Sequence, residues 1–115
     1  MTDRAPIDPQ VAVDYMLQTA PRYAAAKAKR VQLEEFRKSK KASLMREAEV
    51  TGGKNSAALQ EREAYAHPDY IELLKGLQAA TEKALALKWR LEISRMKFEW
   101  ARTKAANRRA EMNLR

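Results

Sequence analysis

Eight cations recur at seven-residue spacing in the second half of this chain, and the chemistry open to them is the binding of phosphate or of an acidic surface. When Tyr70, Leu77, Ala84, Leu91, Phe98 and Ala105 take position a of a heptad, Leu73, Ala80, Leu87, Ser94 and Ala101 fall at d. Lys83, Arg90, Lys97 and Lys104 then occupy g, and Lys88, Arg95, Arg102 and Arg109 occupy e, with no acid among them. An a/d seam asks for a second helix, and the e and g charges select it. A copy of the same helix would set cation against cation in either direction. The seam therefore calls for the chain's own first half, an acidic protein, or phosphate. A second basic cluster precedes it: Lys27, Lys29, Arg30, Arg37, Lys38, Lys40, Lys41 and Arg46, offset before Glu47 only by Glu34 and Glu35. Phosphate binding through such residues weakens with salt and carries little sequence preference. Lys38, Lys41, Arg90, Arg95, Lys97, Arg102 and Lys104 are the candidate contacts. The competing reading of these charges is a solvated helix face, with Glu92 and Glu99 pairing locally with Arg95 or Arg102.

A second apolar stripe, Leu85, Trp89, Ile93, Met96 and Trp100, lies roughly 150° around the same helix from the a/d seam. A helix apolar on two sides cannot satisfy both with one hairpin partner. One reading makes this stripe an oligomerisation face. The other lets Trp89 and Trp100 stack exposed bases, as aromatics do in single-strand-binding proteins. Ile93 and Met96 between the tryptophans favour packing.

Residues suited to catalysis are sparse. His67 is the only histidine and stands before Pro68, where a turn or cap role fits it better than acid–base or metal chemistry. The four Asp residues are Asp3, Asp8, Asp14 and Asp69, and no nucleophile–base or paired-carboxylate pattern is readable. Gly52-Gly53-Lys54 resembles part of a phosphate loop, but Ala48 stands where the first glycine of that motif belongs and no strand precedes it. The expectation is a protein that is not an enzyme and uses no cofactor and no metal.

Positioning these residues is a task for helices. The 115 residues are 33% charged with a net charge of +8, hold only three Gly and four Pro, and show no strand-like alternation. There is no Cys for a disulfide framework and no apolar run approaching the roughly 20 residues of a membrane span. The start of the chain lacks a secretory pattern, and Asp3, Asp8 and Asp14 argue against a transit peptide, so a cytoplasmic location is expected.

Residues 1–9 read as a flexible lead-in, with Asp8 as N-cap of a helix that opens on Pro9. Pro21 is expected to kink that helix or to restart it with Thr19 or Ala20 as cap. From Arg22 to Val50 runs a long helix, with a small-residue stripe of Ala24, Ala28, Val31, Ala42 and Met45 interrupted by Glu35 and Lys38. Leu33, Phe36 and Leu44 lie on another side. Residues 51–56 form the turn, with paired glycines ending one helix and Ser56 capping the next. A short helix from Ala57 to Tyr65 or Ala66 ends at His67-Pro68-Asp69, and the longest helix follows to about Met112. Its length is roughly 65 Å at 1.5 Å per residue.

The whole reads as all-α: an elongated, coiled-coil-like antiparallel helical hairpin with a short helix at its turn. One domain spans 10–112, a tail spans 113–115, and oligomerisation is expected. Folding about Gly53 brings Val31 to Gly76, Ala24 to Lys83 and the region of Leu17 to about Arg90. The helix from about Lys97 onward is left without cover.

The stretches Ala66-His67-Pro68-Asp69-Tyr70, Trp100-Ala101-Arg102-Thr103 and Ala106-Asn107-Arg108-Arg109 look like those of small helical proteins common in phage replication and recombination gene clusters. The plan over residues 22–105 also resembles the phage UvsY recombination-mediator family: a basic helix, a Gly-rich turn, a short Glu/Arg/Tyr-containing helix and a long amphipathic helix. The basic tail Lys104–Arg115 departs from that plan. The resemblance implies an oligomeric accessory protein in the cytoplasm of a bacterial host. Such a protein binds single-stranded DNA and works with a RecA-like recombinase against single-strand-binding protein. The alternative is a non-enzymatic scaffold or adaptor whose basic flanks meet an acidic helix.

Overall fold

The computed structural model describes residues 6–114, and among them three helices and no strand occur: α1 (Pro9–Val50), α2 (Ala57–Ala66) and α3 (Pro68–Asn113). Residues 1–5 of the expected lead-in and residue 115 of the expected tail lie outside the described residues. The all-α helical hairpin expected from the sequence is the observed fold. No helix among the described residues is long and apolar enough to cross a membrane.

The breaks between helices follow local chemistry. At the start of α1, the Asp8 carboxylate accepts the Gln10 N–H at 2.9 Å, and Pro9 takes the first helical position, where its missing N–H costs nothing. Past the end of α1, Gly53 adopts φ +69°, the left-handed backbone that glycine enters without penalty. The Lys54 N–H then turns back to the Ala48 carbonyl at 3.0 Å, satisfying one of the orphan carbonyls of the last turn. Ser56 caps α2, its hydroxyl accepting the Leu59 N–H at 3.2 Å. His67 separates α2 from α3 with an extended backbone, and its ring Nδ1 accepts the Asp69 N–H at 3.1 Å. The lone histidine is thus the N-cap of α3, in line with the turn or cap role expected of it.

The described residues pack as two compact units, one built from residues 6–24 and 85–114, the other from Ala25–Ala84. In the first, Ala12 and Thr19 of α1 are buried together with Leu87 and Ser94 of α3, while Leu91, Phe98 and Ala101 are half-buried. The Ser94 hydroxyl donates to the Ala12 carbonyl at 2.9 Å, a pairing within one residue of the register expected from Leu17 and Arg90. In the second, Leu44 of α1, Ala64 of α2 and Tyr70 of α3 form the core with Met45 against it, and Ala26, Ala80 and Ala84 are also buried. The a/d positions of α3 are therefore its buried face through Ala101, and every described residue from Arg102 onward is exposed.

Two expectations for α1 are corrected. Pro21 does not restart the chain at Thr19 or Ala20: α1 runs through it, and Thr19 is buried inside the helix. An interior proline costs a helix about 3 kcal/mol, which the rest of the fold has to offset. The packed face of α1 is also different from the expected stripe. Ala24, Ala28, Val31 and Ala42 are exposed. The buried or half-buried line steps instead through Ala12, Thr19, Ala26, Leu33 and Lys40, and beside it through Met16, Tyr23, Arg30, Arg37 and Leu44. Leu33 and Leu44 belong to this packed side, and Phe36 alone of that expected set points to solvent.

Candidate nucleic-acid interface

Within the first unit, Lys88, Arg90, Arg95, Lys97, Arg102, Lys104 and Arg109 are all exposed, on both sides of the buried line of α3. Helical spacing holds each row in line, and the apolar a/d residues between the rows fix which way they face. Of these seven, Arg95 alone has a carboxylate within 4 Å among the described residues, Glu92 at 2.8 Å. That hydrogen bond, with weaker help from the Glu99 charge, raises the guanidinium above its already high ordinary value and leaves it charged at every working pH. Arg102 stands 6.0 Å from the centre of the Phe98 ring and Lys104 lies 5.1 Å from that of Trp100. Cations held against ring faces keep their charge turned outward and their stems ordered. Arg90, Lys97, Arg102 and Lys104 are thus free to meet an anion, and Arg95 must first release Glu92.

Beside this row lies an open groove of about 580 Å³ between the start of α1 and α3. Ile7, Val11, Tyr15 and Ile93 form its apolar wall, and Arg90 and Lys97 stand on its rim. The sequence did not reveal this groove, because it forms from residues some eighty positions apart. On the outward side of α3, Trp89 and Trp100 are 61% and 54% exposed, and Leu85, Ile93 and Met96 are exposed with them. Among the described residues the second apolar stripe is therefore largely open to solvent, with Ile93 at the edge of the groove.

Within the second unit, the two candidate contacts are both paired. Lys38 lies 3.3 Å from Glu35 one turn earlier, with both side chains about 70% exposed, so solvent screens the pair and it yields easily to a phosphate. Lys41 is engaged otherwise. Its ammonium bonds Glu61 of α2 at 2.8 Å and sits 4.6 Å from the centre of the Tyr65 ring, whose hydroxyl donates to the same carboxylate at 3.1 Å. Tyr65 in turn meets Tyr70 edge to face at 5.5 Å. The Lys41 hydrogen bond, and secondly the Tyr65 one, hold the Glu61 carboxyl below the usual carboxylate range, while Lys41 is raised well above its ordinary value. Lys41 thus fastens α2 to α1. Nearby, Lys40 reaches Asp69 at 3.7 Å, and Lys54 reaches Glu63 at 3.8 Å. The Glu61–Tyr65 spacing was readable as a one-turn pair; its closure by a lysine twenty residues away was not.

Comparison of the chain with protein-family models, with curated proteins and with solved structures finds no match.

Proposed function

We propose that this protein binds single-stranded DNA through the cationic surface of α3. On this reading it serves as a recombination or replication accessory protein of the phage type, working beside a RecA-like recombinase or single-strand-binding protein. The observation that carries the DNA-binding reading is the set of exposed cations on α3 without a carboxylate partner among the described residues, which includes Lys88, Arg90, Lys97, Arg102, Lys104 and Arg109. Charges that meet no internal acid are available for counterion exchange with a phosphate backbone, the main source of affinity in non-specific nucleic-acid binding. The groove beside Arg90 and Lys97 adds Tyr15 as an aromatic wall next to two cations, the combination that a stacked base and its phosphate use. The recombination setting rests on the resemblance of residues 22–105 to the mediator family. Affinity comes from many weak phosphate contacts, which copies of the chain bound side by side would multiply.

The test is binding of a fluorescent oligonucleotide across a salt series. If about four phosphates are contacted, log affinity falls with log salt at a slope near −3. Arg102→Glu/Arg109→Glu lowers affinity at least tenfold and flattens that slope. Affinity independent of salt defeats the reading. Absence of any oligonucleotide binding, together with capture of an acidic helical peptide, favours the adaptor.

A further inference from the structure

The exposed side of α3 carries a second heptad, and its flanks are unlike those of the first. Ala86, Ile93, Trp100 and Asn107 stand seven residues apart, and Trp89, Met96 and Thr103 follow three residues after the first three of them. That is the spacing of a and d in a coiled coil. Ile93, Met96, both tryptophans, Thr103 and Asn107 are all exposed. One flank of this line is cationic, with Arg90, Lys97 and Lys104; Lys104 leans on the Trp100 ring at 5.1 Å, and Arg90 and Lys97 border Ile93 on the groove rim. The other flank bears Leu85, Glu92 and Glu99. The buried a/d seam has cations on both flanks, but this one has opposite signs on its two sides.

Opposite flanks select both the occupant and its direction. In a parallel pair of helices, the left flank of one faces the right flank of the other; in an antiparallel pair, each flank faces its own copy. We infer that a second copy of this chain docks on the Trp89–Trp100 face with the two α3 helices parallel. Glu92, which holds Arg95 at 2.8 Å within its own helix, then also faces Lys97 of the other copy, and Glu99 faces Lys104, on both sides of the two-fold axis. Antiparallel pairing would oppose cation to cation on one side and acid to acid on the other. Asn107 occupies an a-like position of this line, where a polar Asn paired with its own copy fixes register in parallel dimers. Such an interface is isologous and closed, so it yields a dimer. Arg90, Lys97 and Lys104 then border the interface, so in the paired state the phosphate contacts of the proposed function fall chiefly to the outward-facing Lys88, Arg102 and Arg109. The pairing does not rest on DNA binding: it holds or fails whether or not the chain binds an oligonucleotide.

Sedimentation analysis of the full chain tests it. Wild type is expected to be a dimer. Glu92→Lys/Glu99→Lys and Lys97→Glu/Lys104→Glu are each expected to be monomeric at the same concentration with unchanged far-ultraviolet circular dichroism, and an equimolar mixture of the two is expected to recover the dimer. All four changes lie on exposed or half-exposed side chains, so folding survives them. The chain has no native Cys, so Thr103→Cys and Ala86→Cys, made separately, report direction. Parallel pairing lets both form an intermolecular disulfide on mild oxidation. Antiparallel pairing can bring at most one of them together, since they lie roughly 25 Å apart along the helix. A monomeric wild type, charge variants that stay dimeric, or failure of either cysteine to cross-link overturns the proposal.

Discussion

At the scale of single residues, partners decide what a charge does. Lys97 and Lys41 look alike in sequence, yet Lys97 stands free on a groove rim while Lys41 is held between Glu61 and the Tyr65 ring. The Glu61 carboxyl sits below the usual carboxylate range, so its stabilising contribution is fully present above the ordinary carboxylate value. It is lost as pH falls through the depressed one. As pH falls below the ordinary carboxylate range, wild type should therefore lose melting temperature more steeply than Glu61→Gln, in which that bond no longer titrates. Thermal unfolding followed by circular dichroism at several pH values measures this. Parallel curves for the two proteins would show that Glu61 is screened by solvent and contributes nothing. The candidate contacts divide in the same way: Arg90, Lys97, Arg102 and Lys104 are free, Arg95 and Lys38 carry local acids, and Lys41 is engaged between helices.

At the scale of elements, the helix caps were legible and the faces of α1 were not. Asp8, Ser56 and Gly53 act where their side chains or backbone freedom announced them. Pro21 announced an interruption that the helix does not make. Because α1 carries that missing hydrogen bond at a cost, Pro21→Ala should raise stability by about 2–3 kcal/mol, read as a higher urea midpoint with an unchanged slope. No gain would mean that the chain already relaxes around the proline without penalty. The packed face of α1 escaped reading because Arg30, Arg37, Lys40 and Lys41 lie on it half-buried. Long aliphatic stems let such residues cover apolar surface while the charged heads reach water or an acid such as Glu61, so a line of them reads as polar. Alanine does not decide the matter either, since it suits both a close helix contact and a solvated face. On α3, bulky apolar residues at a and d leave no such ambiguity, and the expected seam is the buried one.

At the scale of the whole molecule, the core is small. Leu44, Ala64 and Tyr70 make a buried apolar cluster, most of the other buried apolar residues are alanines, and much aromatic surface remains in water. A chain with so little interior gains stability from association. If copies pair through α3, the melting temperature must rise with protein concentration, because mass action favours the folded dimer over unfolded chains. A melting temperature constant over a hundredfold dilution would speak against pairing within that range. The helices, the breaks between them, the seam of α3 and the rows of cations along it are legible in the order of residues alone, because propensity, capping and apolar periodicity are local properties of the chain. Which face of α1 is packed, that Pro21 is carried through, which cations are already paired, and where a groove opens beside Tyr15 become visible when the chain is folded. Each of those depends on what a distant part of the chain places opposite the residue, and the spacing within one helix does not contain that information.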